Sequence, residues 1–232
     1  MEISVIIPAR NEEKYIGKTL KSLNNQSFKD FEVIVVDNNS KDSTSKIAKK
    51  LGAKVIFEKK RGVGLARNKG AKQAKGKILL FLDADTIASR DLLKTYSKIF
   101  KDEKVIAATG PVKPFSKSLT YKLGYWLVSD LFVRFCFFFR RPIIMGMNFA
   151  VRKSAFEKEG GFNERFKTFE DWDFSLRLRK YGKVVFSKEA FVYSSERRVK
   201  KWGILRFFIF HFSNILRYLI FKKPKEEYEE IR

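Results

Sequence analysis

Two carboxylates stand two residues apart in Phe81-Leu82-Asp83-Ala84-Asp85-Thr86, directly behind a run of five apolar residues. Two acids at the end of a strand repel each other unless a cation sits between them, and hard oxygen ligands select Mg2+ or Mn2+. Such an ion can bridge a diphosphate and neutralise the charge that develops as the diphosphate leaves. The alternative is a pair of exposed loop acids, which the apolar run before them disfavours. A second acidic group, Glu170, Asp171 and Asp173, opens a helix that continues through Leu176 and Leu178. Acids in a first turn complement the helix dipole. That accounts for one or two of the three, not for all of them.

Three further motifs sit where strands end. Pro8-Ala9-Arg10-Asn11-Glu12 follows the first apolar run, and in an open α/β sheet ligands bind at the carboxyl ends of strands; a plain loop and helix cap is the competing reading. Val35-Val36-Asp37-Asn38-Asn39-Ser40 offers an acid that can accept hydrogen bonds from a base imide or a ribose, while Asp42 or Ser43 can cap the next helix. Arg61-Gly62-Val63-Gly64-Leu65-Ala66-Arg67 lacks a third glycine and does not follow the first strand, so it is not a dinucleotide fingerprint. A glycine-containing helix start beside Arg67 suits phosphate or base binding. Later, Gly146-Met147-Asn148 and Gly160-Gly161-Phe162-Asn163 permit close backbone approach beside a pocket.

These motifs need a scaffold, and the patterning supplies one. Up to about residue 113, Val- and Ile-rich runs alternate with polar helical stretches, which predicts an α/β fold with a mainly parallel sheet. Strands are predicted over 3–7, 32–36, 54–57, 77–82 and 105–109, with helices over 12–24, 43–51, 64–75 and 89–100. The near-continuous apolar character of the strands implies cover on both faces. The length of 232 residues and 44% hydrophobic content suffice for a packed core.

Composition narrows the partners. Lys and Arg outnumber Asp and Glu by 49 to 26, a net charge of +23, which attracts polyanions or anionic lipid. Ten of the 24 Phe crowd into two late segments, five in 119–139 and five in 202–221. Residues 119–139 interleave Tyr, Trp and Phe with Lys122, Asp130 and Arg134, too charged for a clean bilayer span. Residues 202–221 gather Arg206, Ser213 and Arg217 on one narrow helical stripe and apolar residues on the rest. Each segment reads as a helix lying in a membrane interface or as one packed on the domain. The single cysteine, Cys136, excludes an internal disulfide, and Met1 to Pro8 has no signal-peptide pattern, so a cytosolic chain is expected.

Taken in order, Pro-x-Arg-Asn-Glu, Val-Val-Asp, Gly-x-x-x-Ala-Arg-Asn-x-Gly, Asp-Ala-Asp, Gly-Gly-Phe-Asn-Glu and Glu-Asp-Trp-Asp resemble family 2 glycosyltransferases of the GT-A fold, with membrane-associated archaeal and bacterial members the nearest in kind. The resemblance runs from about Ser4 to about Trp202. It implies a GT-A, Rossmann-like mixed sheet over residues 1–200, divided into a nucleotide-sugar half (1–113) and an acceptor half (114–200, with the aromatic insertion 119–139). An amphipathic membrane-interface helix (201–223) and a charged tail (224–232) follow. It further implies that Pro8, Arg10, Glu12, Asp37 and Arg67 contact the nucleotide of a UDP- or GDP-sugar. Asp83 and Asp85 would serve Mg2+ or Mn2+ and the diphosphate, and Asp171 would be the general base, with Glu170 the alternative. Asn148, Gly161 and Trp172 fall beside the acceptor or diphosphate.

Two departures from the family pattern stand out. Asp37-Asn38-Asn39-Ser40 replaces the frequent Asp-Asp-Gly-Ser, and Tyr193-Ser194-Ser195 stands where many members place a metal-binding histidine. Arg198-Val199-Lys200-Lys201-Trp202 is similar to the Gln-x-x-Arg-Trp element with both polar letters changed. Arg197, Arg198 and Lys201 are read as diphosphate contacts and Trp202 as an acceptor lid, or the group as a basic membrane-facing patch. The expected activity is inverting transfer to a hydroxyl of a lipid-linked glycan or glycolipid, peripheral on the cytoplasmic face of an anionic membrane. The alternatives are a polyprenyl-phosphate sugar transferase, a nucleotidyltransferase and a nucleic-acid-binding module. No nucleic acid is expected, because no reader motif accompanies the charge.

Overall fold

The computed structural model describes residues 1–221, 223 and 224, so of the expected tail only Pro224 is among the described residues. Seven strands form the central sheet in the order β3-β2-β1-β4-β8-β6-β9. These are β1 (Ile3–Ala9), β2 (Phe31–Asp37), β3 (Lys54–Phe57), β4 (Ile78–Leu82), β6 (Val105–Thr109), β8 (Asn148–Arg152) and β9 (Lys183–Phe186). All neighbours pair parallel except β8, which runs antiparallel to both β4 and β6. The mixed, mainly parallel sheet is the one expected. The parts on either side of residue 113 share it, because β8 inserts between two earlier strands.

Helices cover both faces, which is why the strands are apolar throughout. Ile3, Val5 and Ile7 meet α1 (Ile16–Asn24) and α4 (Leu92–Ile99), while Ile6, Ile34 and Phe81 meet α3 (Val63–Gln73), α7 (Lys153–Glu159) and α8 (Glu170–Leu178). Helix α2 (Thr44–Lys50) packs beside α1. The first helix starts four residues later than predicted. Asn11 takes a left-handed φ of 52°, and the N–H groups of Glu12 and Glu13 donate to Thr44 Oγ1 and Asp42 Oδ2 instead of entering a helix.

A small second sheet, β5-β10-β7, joins Thr86–Ala88, Val192–Ser194 and Val112–Pro114. The aromatic insertion is a continuous helical run, α5 (Leu119–Trp126), a π-helical stretch (Leu127–Phe132) and α6 (Val133–Phe138). Inside that stretch Ser129 holds β7: its Oγ accepts from the Val112 N–H (3.2 Å) and donates to the Val112 carbonyl (2.7 Å). The helix expected over 202–221 is α10 (Ile204–Phe221), set off at Gly203, φ 76°, from a short helix before it, α9 (Arg197–Trp202). Among the described residues no helix is long and apolar enough to cross a membrane.

Candidate active site

A cavity of about 1020 Å3 opens at the carboxyl ends of β1 and β4. One wall carries Pro8, Arg10, Glu12, Asn38, Arg67, Asp83 and Asp85; the other carries Tyr125, Gly146, Glu170, Asp171, Trp172, Arg198 and the α10 residues Phe210, His211 and Asn214. The sharp exit from β4 is closed by a bond from the Thr86 N–H to the Asp83 carbonyl (3.1 Å) and anchored by Thr19 Oγ1, which donates to the Ala84 carbonyl (2.6 Å). Asp83 and Asp85 therefore leave a fully buried strand in fixed directions.

Each acid answers to a guanidinium. Arg67, buried on α3, bonds Asp83 (2.9 Å) and Glu170 (2.5 Å), tying the Asp-Ala-Asp turn to the first turn of α8. Gly146 is required beside it, since a Cβ there would lie 2.6 Å from Arg67 Nη2. Arg197 makes two bonds to Glu12 (2.7 and 2.8 Å) and reaches Asp85 with its Nε (3.1 Å). Burial pushes the Asp85 carboxyl up to about 7, with the charges of Asp83 and Glu12 adding to the rise and Arg197 opposing it. A charged group held this way is stable only while a cation faces it.

The three acids of α8 have three different partners. Glu170 is held by Arg67. Asp171 Oδ2 accepts from the Gly146 N–H (2.7 Å) and Oδ1 from its neighbour's Trp172 N–H (2.9 Å), with the carboxylate on the cavity. Asp173 binds Arg177 (2.8 Å) and accepts from the Tyr218 hydroxyl (2.7 Å), so it serves the packing of α10. Burial, then the neighbouring Asp171 charge, raises the Glu170 pKa, and burial likewise raises that of Asp171; Arg67 opposes both. The residue before them, Phe169, sits at φ 67°, a conformation that costs a bulky side chain about 1–2 kcal/mol. Its ring is clasped by Trp172 and Tyr218, at 4.5 and 5.8 Å between centroids.

Five of the sequence-predicted residues do not line the cavity. Asp37 is turned into the end of β2, accepting from the Ser40 N–H (2.9 Å) and the Ser45 hydroxyl, and its neighbour Asn38 lines the cavity instead. Asn38 accepts from the Gly62 N–H (2.9 Å) and donates to the Lys60 carbonyl (2.6 Å), a donor role an aspartate could not fill. Asn39, at φ 66°, takes the backbone conformation for which glycine is the usual choice. Asn148 is fully buried and structural: its amide donates to the carbonyls of Gly110 and Ala190, and its oxygen accepts from Tyr96. Gly161, at φ 75°, packs on Asn68, whose amide clamps Phe162. Lys201 is exposed, and Trp202 packs against Phe210 with the guanidiniums of Arg198 and Arg206 over its ring.

Residues that the sequence did not single out are Asn38, Tyr125, Asn214 and the central position of Arg197. His211 contacts the rings of Phe207 and Phe210, and burial lowers its pKa to about 4. Among the described residues no three His, Cys, Asp or Glu side chains gather into a metal cage. The donor set of Asp83 and Asp85 nonetheless suits a hard divalent ion completed by ligand and solvent oxygens, and Arg197 occupies the position of a counter-cation to the buried Asp85.

The chain matches the signature of "Glycosyl transferase family 2" over residues 4–160. It is 30% identical over 229 residues to a Methanococcus voltae dolichyl N-acetyl-alpha-D-glucosaminyl phosphate 3-beta-D-2,3-diacetamido-2,3-dideoxy-beta-D-glucuronosyltransferase, covering 86% of this chain and 69% of that enzyme. Its fold superposes on Staphylococcus aureus TarS in complex with UDP-GlcNAc with a TM-score of 0.68 at 26% identity, over 85% of this chain and 59% of that one. It superposes on the Pyrobaculum calidifontis mannosyltransferase PcManGT in complex with GDP-Man and Mn2+ with a TM-score of 0.70 at 21% identity, over 93% of this chain and 64% of that one. The motifs, the mixed sheet and these matches agree, and the chain belongs to glycosyl transferase family 2.

Proposed function

We propose that the protein transfers a sugar with inversion from a UDP- or GDP-sugar to a hydroxyl of a lipid-linked glycan or glycolipid at the cytoplasmic face of a membrane. The observation that carries this reading is the single buried ladder Asp83–Arg67–Glu170, which ties the diphosphate end of the cavity to the acidic turn bearing Asp171. Pro8, Arg10 and Asn38 form the nucleoside end, with Asp37 acting behind Asn38 to shape the loop. The basic α9 residues Arg197 and Arg198 lie on the cavity and suit a diphosphate.

Asp83 and Asp85 would hold Mg2+ or Mn2+, which when bound supplies charge neutralisation to the departing diphosphate. A diphosphate and its cation bound here would compete with Arg197 for Asp85, and the Arg197 guanidinium suits the phosphates. Asp171, on the opposite wall, accepts the proton of the acceptor hydroxyl. That oxygen forms its bond to the anomeric carbon as the bond to the diphosphate oxygen breaks, releasing the nucleoside diphosphate with its electron pair. Glu170 is the poorer base, because its carboxylate is engaged by Arg67. A phosphate acceptor needs no base, so an acid placed as Asp171 is favours a hydroxyl over a polyprenyl phosphate. The name of the Methanococcus voltae relative, which specifies a dolichyl-linked sugar as acceptor, supports a lipid-linked glycan.

A thermal-shift screen of UDP-, GDP- and dTDP-sugars with and without Mn2+ tests the donor, since a ligand that binds only the folded state raises its melting temperature. Donor turnover by the Asp85→Ala and Asp171→Asn variants tests the chemistry. Full activity in both would overturn the assignment.

A further inference from the structure

Helix α10 is apolar on two opposite sides. Its inner side packs on the domain through Phe210, His211, Asn214 and Tyr218; Asn214 donates to Thr168 (3.2 Å) and Tyr218 to Asp173. At about 100° per residue, Leu205, Ile209, Phe212, Leu216 and Ile220 fall within an arc of about 80° on the other side, and all are exposed, Leu205 by 74% and Phe212 by 62%. The fold already has its contact with α10, so the outer stripe is surplus to folding.

A second stripe runs along α5, the π-helical stretch and α6, where Leu119, Leu123, Leu127, Leu131, Phe135 and Phe139 are exposed at every fourth position. On a regular α-helix a four-residue step overshoots a full turn and the row would wind around the helix. The π-helical turns hold more than four residues each, so there the same step falls short and the drift reverses. The π stretch thus keeps one apolar row on one side. Ser129, bonded twice to Val112, fixes that side relative to the sheet.

The two helical segments border the same cavity, α5 through Tyr121 and Tyr125, α10 through Phe207 and Phe210. They are joined beneath it by ring contacts from Phe132 to Trp172, Trp172 to Phe169 and Phe169 to Tyr218. Exposed cations flank both rows: Lys122, Arg134, Arg140 and Arg141 on one, Arg206 and Arg217 on the other. We infer that the two rows form one docking surface for an anionic lipid bilayer, with the mouth of the cavity between them turned to the lipid. The cationic flanks commit the surface to that occupant. A second copy would bring the same positive flanks face to face, whereas phospholipid headgroups compensate them. At 18 residues α10 is about 27 Å long and lies along the interface rather than across it. An acceptor whose lipid stays in the bilayer then reaches Asp171 from the membrane side. This last step rests on reading the cavity as the transfer site.

Vesicle co-sedimentation of the full chain at about 0.15 M salt tests the surface. Binding to phosphatidylcholine vesicles with about one-third phosphatidylglycerol is expected to exceed binding to pure phosphatidylcholine by about tenfold or more. The variants Phe212→Glu/Leu216→Glu and Phe135→Glu/Phe139→Glu should each reduce it by about tenfold or more, with donor hydrolysis in vesicle-free solution unchanged. Hydrogen exchange of the unmodified chain, which needs no variant to fold, should show vesicle-induced protection within 119–139 and 205–220. Equal binding by wild type and variants, protection elsewhere, or a stable dimer in place of vesicle binding would each overturn the proposal. Vesicle binding without donor turnover leaves the surface standing and removes the transferase reading. Turnover without vesicle binding does the reverse.

Discussion

The two walls of the cavity solve opposite problems. The wall built from the ends of β1, β2 and β4 crowds carboxylates together and stabilises them with two guanidiniums, Arg67 and Arg197, one of them buried to 3% exposure. The wall built from α5, α8 and α10 also carries the acids Glu170 and Asp171, but its elements are held together by ring contacts among Phe169, Trp172 and Tyr218. Where charges are buried, removing one partner strands the other, so the first wall should be brittle. Where rings and single hydrogen bonds share the load, losses should be graded.

Arg67→Met tests the brittle wall hardest. It leaves Asp83 and Glu170 without their buried partner, and a loss of about 3–5 kcal/mol of unfolding free energy is expected in urea denaturation. A loss under about 1 kcal/mol would show that water reaches these acids and that the walls do not differ as described. Next in size, Asp171→Asn should lower turnover by about a hundredfold or more, equivalent to about 2.7 kcal/mol. The thermal shift given by the donor nucleotide should be preserved, since Asp171 belongs to the opposite wall.

Asp85 and His211, on opposite walls, titrate with opposite signs. Asp85 is pushed from 3.8 up to about 7, so its contribution to stability is complete below about 3.8 and is lost as the pH rises through about 7. His211 is lowered from 6.5 to about 4, so its contribution is present above about 6.5 and is lost as the pH falls through about 4. The buried acids Asp85, Glu170 and Asp171 lose their contribution as the pH rises through about 4 to 7 while His211 gains its own, so melting temperature should fall across that range by less than the acids alone would give. Asp85→Asn should make that fall shallower and His211→Phe should make it steeper. A steeper fall in Asp85→Asn, or a shallower one in His211→Phe, would contradict these signs. The smallest effect belongs to Tyr218→Phe, which removes one hydrogen bond to Asp173 and should cost about 1 kcal/mol in stability.

Much of the scaffold was legible because a parallel strand covered on both faces must be apolar throughout. The strands predicted over 54–57 and 105–109 match β3 and β6 to the residue. The start of α1 was not legible, because Glu12 and Glu13 spend their N–H groups on Thr44 and Asp42, partners about thirty residues away. The clustering of Pro8, Arg10, Glu12, Arg67, Asp83, Asp85, Glu170, Asp171, Trp172 and Arg198 on one cavity follows from motifs placed at strand ends and at the start of α8. Asn148 misled because a buried asparagine that satisfies loop carbonyls has the same local sequence as one that meets a ligand.

Local chemistry written in the sequence determined the strand-end acids, the basic and aromatic segments and the family, since each depends on neighbours a few residues apart. Only the tertiary structure decided which charge faces which. Arg197 meets Glu12 across 185 positions and Arg67 meets Glu170 across 103, distances over which no periodicity carries information. It also decided that α10 has an inner and an outer apolar side, because a helix pattern shows which residues share a side but not which side finds a partner.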